Sequence, residues 1–588
     1  MSLLLDPRAG DAEDDASSTK ARSLTAIAGS LLAEISPIKL AIAWLTMVAL
    51  PGLMLGLAPL VITAWVKNVS AGIAALAGLG SLFVLALPVL AAWYGFRPLF
   101  RAAEQSFWAL NAVAVQPGYA LIREALRHLG RGRIGPDASV TAQTRFGALT
   151  ALGAGLLAAL FALGAMILAW PASRWIGTVS DLATPFALIT PAIANTVILT
   201  SGYFAAASLV WAVADATMDQ PRDLAAFDLA PDGAQQWRVA HLSDVHVVGE
   251  RYGFRIESGR AGPRGNERFQ AALAALVEAD RRERLDLVLI TGDMTDAGRS
   301  AEWAEFFAAL RAHPTLLDRV FVLPGNHDVN IVDRANPARL DLPWSAGKRL
   351  RQVRALAAIA AVQGARVTVI DPATGRPGPT LDDALAPHRG VIRAFADEGS
   401  ILRAHPVAAP WREAFPMVVP PPTPEGLGLI LLDSNAESHF SFTNALGIVT
   451  AETATALRRT IEAHPTARWI VALHHHVVEY PRPAKALSER IGTALVNGSW
   501  FVREIAPYGR RIVVMHGHRH IDWIGACGAL RIISAPSPVM EATGREPTSF
   551  LIHRFAAGDG GALALLAPER IQLAPEPPDP PALGAIAT

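Results

Sequence analysis

The chain has 588 residues, of which 51% are hydrophobic and only 18% charged, with a mean hydropathy of +0.30. Soluble domains usually carry about 25% charged residues, so this chain is too long for one ordinary domain and too apolar to be soluble throughout. Lys plus Arg (52) equals Asp plus Glu (52), which gives no bulk charge for nucleic-acid binding. The single cysteine, Cys527, excludes an intrachain disulfide and a cysteine-built zinc site.

Residues 1–36 form an N-terminal segment with an acidic run, Asp11–Asp15. Four stretches without a charged residue follow: Leu40–Val66, Asn68–Phe96, Phe146–Ser173 and Leu182–Ala214. Each exceeds the roughly 20 residues a helix needs to cross a membrane. Their internal prolines (Pro51, Pro59, Pro88, Pro171, Pro185, Pro191) are tolerated better in membrane helices than in soluble ones. The expectation is an all-α membrane domain of about four transmembrane helices over 37–215. Lys67 alone separates the first two runs and predicts a short turn there. The loop at 97–145 holds Arg97, Arg101, Arg123, Arg127, Arg131, Arg133 and Arg145 against Glu104, Glu124 and Asp137. That excess marks the cytoplasmic side and, with four spans, places both termini in the cytoplasm. Residues 117–129 also fit an amphipathic surface helix. Asn195, inside the fourth run, is suited to bridging helices.

A linker over 216–236 leads into a different kind of sequence. Short apolar runs alternate with helix-length segments. The expected strands are Arg238–Leu242, Leu285–Ile290, Arg319–Leu323, Leu427–Leu432, Trp469–Leu473, Arg511–Met515 and Leu530–Ser534. The expected helices are Asn266–Arg282, Ala301–His313, Gly347–Gln363 and Thr450–His464. This alternation predicts an α/β layered sheet over 237–567. Residues 331–424 break the rhythm and read as an insertion with its own helices, able to cap a site. Residues 568–588 read as a Pro-rich disordered tail.

Of sixteen histidines, only His128 precedes residue 237. Five clusters follow apparent strands, where α/β proteins build their sites. They are Asp244-Val245-His246, Gly292-Asp293 (with Thr295 and Asp296 beyond), Gly325-Asn326-His327-Asp328, His474-His475-His476, and His516-Gly517-His518-Arg519-His520. Singly each is weak; together, in this order, they are specific. Mixed oxygen and imidazole donors suit Mn, Fe, Zn, Co or Ni. A shared carboxylate holds two ions about 3.5–4 Å apart, and such a pair turns a bridging water into hydroxide near neutral pH. No protein nucleophile is then required, in keeping with the lack of a clear Gly-x-Ser-x-Gly.

The order of these motifs resembles the calcineurin-like metallophosphoesterase superfamily over about Trp237–Ala556. The resemblance implies a four-layer αββα sandwich with two divalent metal ions at the sheet edge. It implies Asp244, His246 and His520 as ligands of the first metal, and Asp293 as the carboxylate shared by both. It implies Asn326, His474 and His518 as ligands of the second. His475 is the alternative to His474, because the usual proline after the His-His pair is absent and the register is open by one residue. His327 would stabilise the transition state or protonate the leaving group, with Asp328 orienting it through a hydrogen bond. His516 reads as structural, and Arg519 as a phosphate contact or a solvated arginine. Cys527 reads as a buried apolar residue.

The Ser243–His246 opening, the Gly325–Asp328 motif and the Leu431–Ser434 run resemble bacterial phosphodiesterases of the cyclic-nucleotide and glycerophosphodiester type. The expectation is a multi-pass enzyme of a bacterial-type inner membrane, its catalytic domain cytoplasmic. It would hydrolyse a phosphodiester by attack of a metal-bridging hydroxide. The substrate would be a phosphate ester, lipid-linked or nucleotide, and membrane lipids would be the other partners. The competing readings are a phosphomonoesterase or phosphoprotein phosphatase, and a membrane sensor whose α/β domain only binds metal. A transporter is disfavoured because the spans hold no charged residue.

Overall fold

The computed structural model describes residues 6, 37–75, 111, 115–130, 140–249, 266–332, 341, 345–398, 406–437, 444–481, 495–540 and 547–573. The chain divides into two compact units, one spanning Ser36–Met218 and the other built from Asp219 onward. The expectations for Asp11–Asp15, for the second apolar run beyond Ala75, for Arg97, Arg101, Arg131 and Arg133, and for the tail beyond Leu573 lie outside the described residues.

The first unit is helical: α1 (Pro37–Trp44), α2 (Leu50–Ala75), α3 (Gln116–Gly130), α4 (Val140–Ala169) and α5 (Ile189–Thr217). Among the described residues, three stretches are long and apolar enough to cross a membrane: Leu50–Asn68, Ala142–Ala172 and Pro185–Thr217. Their outer faces are apolar, with Phe161 75% exposed and Leu168 84%, which lipid can cover and water cannot. Between α1 and α2 a wide turn, Leu45–Ala49, sits just ahead of Pro51. The proline nitrogen cannot donate and its ring crowds the carbonyl four residues back.

The turn expected at Lys67 is not there. Helix α2 runs through it to Ala75, because an exposed lysine can lay its alkyl stem along the helix and keep its ammonium in a polar layer. The helix expected at 117–129 is α3. Arg127 pairs with Glu124 at 2.9 Å, and Arg123 pairs with Asp215 of α5, which also accepts from the Tyr119 hydroxyl at 3.1 Å. One of the loop arginines, Arg123, therefore holds two helices together as well as adding to the charge bias. Asn195 does bridge helices: its amide donates to Gly56 O (3.0 Å) and Arg174 O (2.7 Å), and its oxygen accepts from Arg174 N.

The second unit contains two mixed sheets. One has five strands in the order β14-β13-β2-β3-β4, the other nine in the order β1-β11-β12-β10-β9-β8-β7-β5-β6. Strands β2 (Gln236–Leu242), β3 (Leu287–Ile290) and β4 (Val320–Val322) are mutually parallel. So are β8 (Leu427–Leu431), β9 (Arg468–Ala472), β10 (Ile512–His516) and β12 (Leu530–Ser534). From Trp237 to Leu242 every residue of β2 is buried, as expected for a strand covered on both faces. One continuous buried cluster takes residues from both sheets and from α6 (Glu267–Arg282), α7 (Ser300–Arg311) and α9 (Ala346–Gln363). Helix α8 (Asn326–Val329) is a single turn after β4.

The described residues of 331–424 join the core and the nine-stranded sheet of the second unit. The side chain of Gln363 in α9 bonds both Val322 N and Val322 O. Strands β5 (Thr368–Ile370), β6 (Pro377–Thr380) and β7 (Met417–Val419) extend the nine-stranded sheet beyond β8. Ala- and Pro-rich composition masked short strands whose partners lie far along the chain. The linker also contributes, since β1 (Arg222–Asp223) pairs with β11 (Trp523–Cys527). Finally, β14 (Leu563–Gln572) runs past the tail boundary expected at 568, held by antiparallel pairing with β13 (Ser549–Ala557).

The contact between α2 and α5 gives a test. A Cβ built on Gly56 would lie 1.8 Å from Ala192 O, so Gly56→Val must push the helices apart. We expect the helical transition of the full chain in detergent to fall by about 3–10 °C. Scanning calorimetry showing an unshifted transition would contradict this packing.

Candidate metal centre

The expected site residues lie at the C-terminal ends of the two parallel strand sets. Asp244 and His246 follow β2, Asp293 follows β3, and Asn326 and His327 follow β4. His474 follows β9, while His518 and His520 follow β10. Backbone bonds lace these loops together: Asp244 N to Gly292 O (3.0 Å), His246 N to Asp293 O (2.9 Å) and Gly517 N to His474 O (3.1 Å).

Three groups of ligand atoms, each within 4.8 Å of one another, result: Asp244–His246–His520, His246–Asp293–His327, and Asp293–His474–His518. Asp293 belongs to two of them. Its Oδ2 lies 3.2 Å from His474 Nε2 and 3.8 Å from His246 Nε2, while Oδ1 accepts from His327 N at 2.8 Å. His246 Nε2 and His520 Nε2 meet at 3.3 Å, and His474 Nε2 and His518 Nδ1 at 3.1 Å. The amide oxygen of Asn326 is 3.1 Å from His474 Nε2. Only a proton or a cation relieves such facing pairs of nitrogens. With two carboxylates beside them, the donor set fits borderline divalent ions.

The backbone is bent to make this convergence. Among the described residues, the non-glycine residues with positive φ are Asp244, His246, Asp293, His518 and His520. All five are expected ligands. Left-handed backbone at non-glycine positions costs about 1–3 kcal/mol each and gathers at functional sites. The glycines serve close approach: a Cβ on Gly325 would lie 2.1 Å from Asp293 Oδ1.

Burial alone would raise the carboxyls of Asp244 and Asp293. The His520 imidazole holds Asp244 below its usual range instead, and His474 holds Asp293 well below. Burial would lower His474, but the Asp293 carboxylate lifts it to about 9. Burial pushes His246 down and His518 well down, which favours the neutral imidazole that metal ligation requires.

Two expectations can be set against this geometry. The ring at Asp293 is that of His474, whereas His475 Nδ1 faces Ser434 Oγ at 2.9 Å. Asp328 does not orient His327. Its carboxylate accepts from Gly325 N (2.9 Å), Met294 N (3.3 Å), Thr295 N (2.9 Å) and the Thr295 hydroxyl (2.7 Å), all of which hold the loop. Adjacent side chains on a tight helical turn diverge, so the partner of His327 comes from another loop. That partner is Asp296, whose carbonyl accepts from His327 Nδ1 at 2.7 Å and whose Oδ1 lies 3.3 Å from His246 Nδ1. Its signal was an acidic residue three beyond Asp293; nothing in the sequence showed which imidazoles it would meet.

His516 is buried, with Nδ1 3.3 Å from Gly517 O, and burial pushes it down to about 3. Arg519 lies over the Tyr480 ring at 5.9 Å. Cys527 is buried, donates to Asp219 O at 3.0 Å, and its thiol is pushed up to about 12 by burial.

With this geometry described, the comparisons with known proteins can be stated. Residues 238–383 match the family model described as Calcineurin-like phosphoesterase. Residues 238–383 are therefore similar to calcineurin-like metallophosphoesterase domains. The match contains Asp244, His246, Asp293, Asn326, His327 and Asp328; the later histidines lie beyond it. A comparison with curated protein sequences gives no match. Among solved structures, a candidate 5'-nucleotidase from Staphylococcus aureus is 14% identical, covering 58% of this chain and 55% of its own, with a TM-score of 0.30. A dimetal phosphatase from Danio rerio is 13% identical, covering 57% and 99%, with a TM-score of 0.33. An NAD nucleotidase from Haemophilus influenzae is 13% identical, covering 58% and 57%, with a TM-score of 0.30. The chain thus spans about half the length of the two nucleotidases.

Behind His246 and Asp296 sits Glu302, which accepts from Ala297 N (2.9 Å) and Arg299 N (3.0 Å). Burial, with the Asp296 carboxylate close by, pushes its carboxyl up to about 8. The unfolded chain ionises this group near pH 4.5, so its stabilising contribution is complete below that and is lost as the pH rises through about 8. Glu302→Gln keeps an acceptor for both amides. We expect the variant to flatten the fall in stability between pH 5 and 9 by a few kcal/mol, on the order expected for a shift of this size. Parallel thermal melts of the two proteins giving the same slope would count against it.

Proposed function

We propose that the protein is a membrane-held, dinuclear-metal phosphoesterase that prefers phosphodiesters, its α/β half built as an αββα sandwich. The observation that carries this reading is the sharing of Asp293 between two groups of buried ligand atoms. In this reading Asp244, His246 and His520 hold one ion, Asn326, His474 and His518 the other, and Asp293 both. Two divalent ions so held would activate a water and neutralise charge on the phosphoryl oxygens of an in-line displacement.

The chain's own residues account for the remaining chemistry. His327 commits Nδ1 to the Asp296 carbonyl, which can only accept. Its other nitrogen, Nε2, is then the atom that holds a proton and delivers it to the leaving oxygen. Burial of Asp293, His246 and His474 excludes bulk water from the ligand side of the site. The preference for a diester rests on the resemblance of Ser243–His246, Gly325–Asp328 and Leu431–Ser434. The apolar helices favour a substrate with a lipid portion. The cytoplasmic placement rests on the arginine excess between residues 97 and 145, with the run to Phe96 as a fourth crossing.

Asp293→Ala and Asn326→Ala should each lower hydrolysis of bis-(p-nitrophenyl) phosphate by manganese-loaded protein at least about a thousandfold, while circular dichroism stays near that of the parent. Undiminished turnover would refute the ligand assignment, and faster turnover of p-nitrophenyl phosphate would replace the diester by a monoester. Separately, a phosphatase reporter fused after Thr588 should be silent, because that enzyme needs the periplasm; an active fusion would reverse the orientation.

A further inference from the structure

Three consecutive histidines close β9, and one neighbouring side chain sorts them. Ser434, fully buried after β8, accepts from His474 N and from His475 N, both at 3.2 Å, and its Oγ lies 2.9 Å from His475 Nδ1. A hydroxyl has one proton and two acceptor lone pairs. Two amides fill the lone pairs, so the proton goes to His475 Nδ1. With Nδ1 accepting, its hydrogen is on Nε2, and neither nitrogen has a lone pair left for a metal. The ring is also walled in, since a Cβ on Gly447 would lie 2.4 Å from His475 Cγ.

His474 is left with the opposite arrangement. Its Nδ1 donates to Thr291 O at 2.8 Å, which leaves the Nε2 lone pair toward Asp293 and Asn326. We propose that Ser434 is a positioning residue that selects His474 over His475 as the ligand of the second ion. It fixes the turn through both amides and disables the competing imidazole. This inference rests on the dinuclear reading and adds to it a residue that touches neither metal nor substrate.

The test is manganese binding to the full chain in detergent, followed by calorimetric titration and by electron paramagnetic resonance of the coupled ion pair. Ser434→Ala should weaken the second ion about 10–100-fold, the range for groups that orient a ligand. The first ion should bind as in the parent, and the coupled-pair signal should be lost at limiting metal. Ser434→Thr, which keeps the hydroxyl, should restore both. His475→Ala should keep both ions within about threefold, because His475 holds none; if Ser434→Ala does not accumulate, this variant decides. Parent-like binding of both ions by Ser434→Ala, equal weakening of both, or loss of the second ion in His475→Ala would each overturn the proposal. Fewer than two ions in the parent itself would instead overturn the dinuclear reading on which it stands.

Discussion

The α/β half depends on one electrostatic constraint: Asp293 is a carboxylate 1% exposed. An unpaired charge there would cost several kcal/mol or more, and the group would protonate rather than stay ionised. It stays ionised because His474 lies 3.2 Å from one oxygen and the His327 amide donates to the other. These partners come from β9 and from the loop after β4, so one residue obliges two sheets to end at the same place. Gly325 leaves room for the carboxylate, and left-handed backbone at Asp293 turns it inward.

Parallel strands make that meeting possible. Each strand of a parallel set ends on the same edge, so the loops after β2, β3 and β4 are neighbours before any side chain is chosen. The same holds for the loops after β8, β9 and β10. The bonds from Asp244 to Gly292 and from Gly517 to His474 then fix the loops at the height of the backbone. Asp296 works across two of these loops, its carbonyl on His327 and its carboxylate beside His246. A shift of either loop would change both imidazoles together, so His327 and His246 are coupled through one residue.

What could be read from the sequence follows the range of the interactions concerned. Strands β2, β8, β9, β10 and β12 were legible because apolar runs report burial directly. The motif residues were legible because their types and order carry metal chemistry. Partners decided by a third element were not. Asp328 was read as the partner of His327 because it is adjacent, yet adjacency on a turn separates side chains, and its oxygens are spent on Gly325, Met294 and Thr295. The choice between His474 and His475 was open for the same reason. It depends on Ser434, forty residues earlier, and no local pattern connects them. Strands β5 to β7 were missed because their pairing, not their composition, makes them strands.

The two halves answer to different solvents, and this explains why average composition was misleading. In the helical unit, Phe161 and Leu168 are outside while Asn195 and Asp215 are buried. That inversion is stable only where the surroundings are apolar and interior polar groups satisfy one another. In the α/β unit the apolar residues are inside, and buried Asp, Asn and His side chains gather where the two parallel strand sets end. In the proposed reading, the helices tether the α/β unit to a membrane. A lipid-borne phosphoester would be held at the same membrane, so encounter becomes a two-dimensional search at high effective concentration. A freely diffusing substrate gains nothing from the tether. Within that reading, the physical reason for apolar helices in the same chain is strongest for a substrate that shares their solvent.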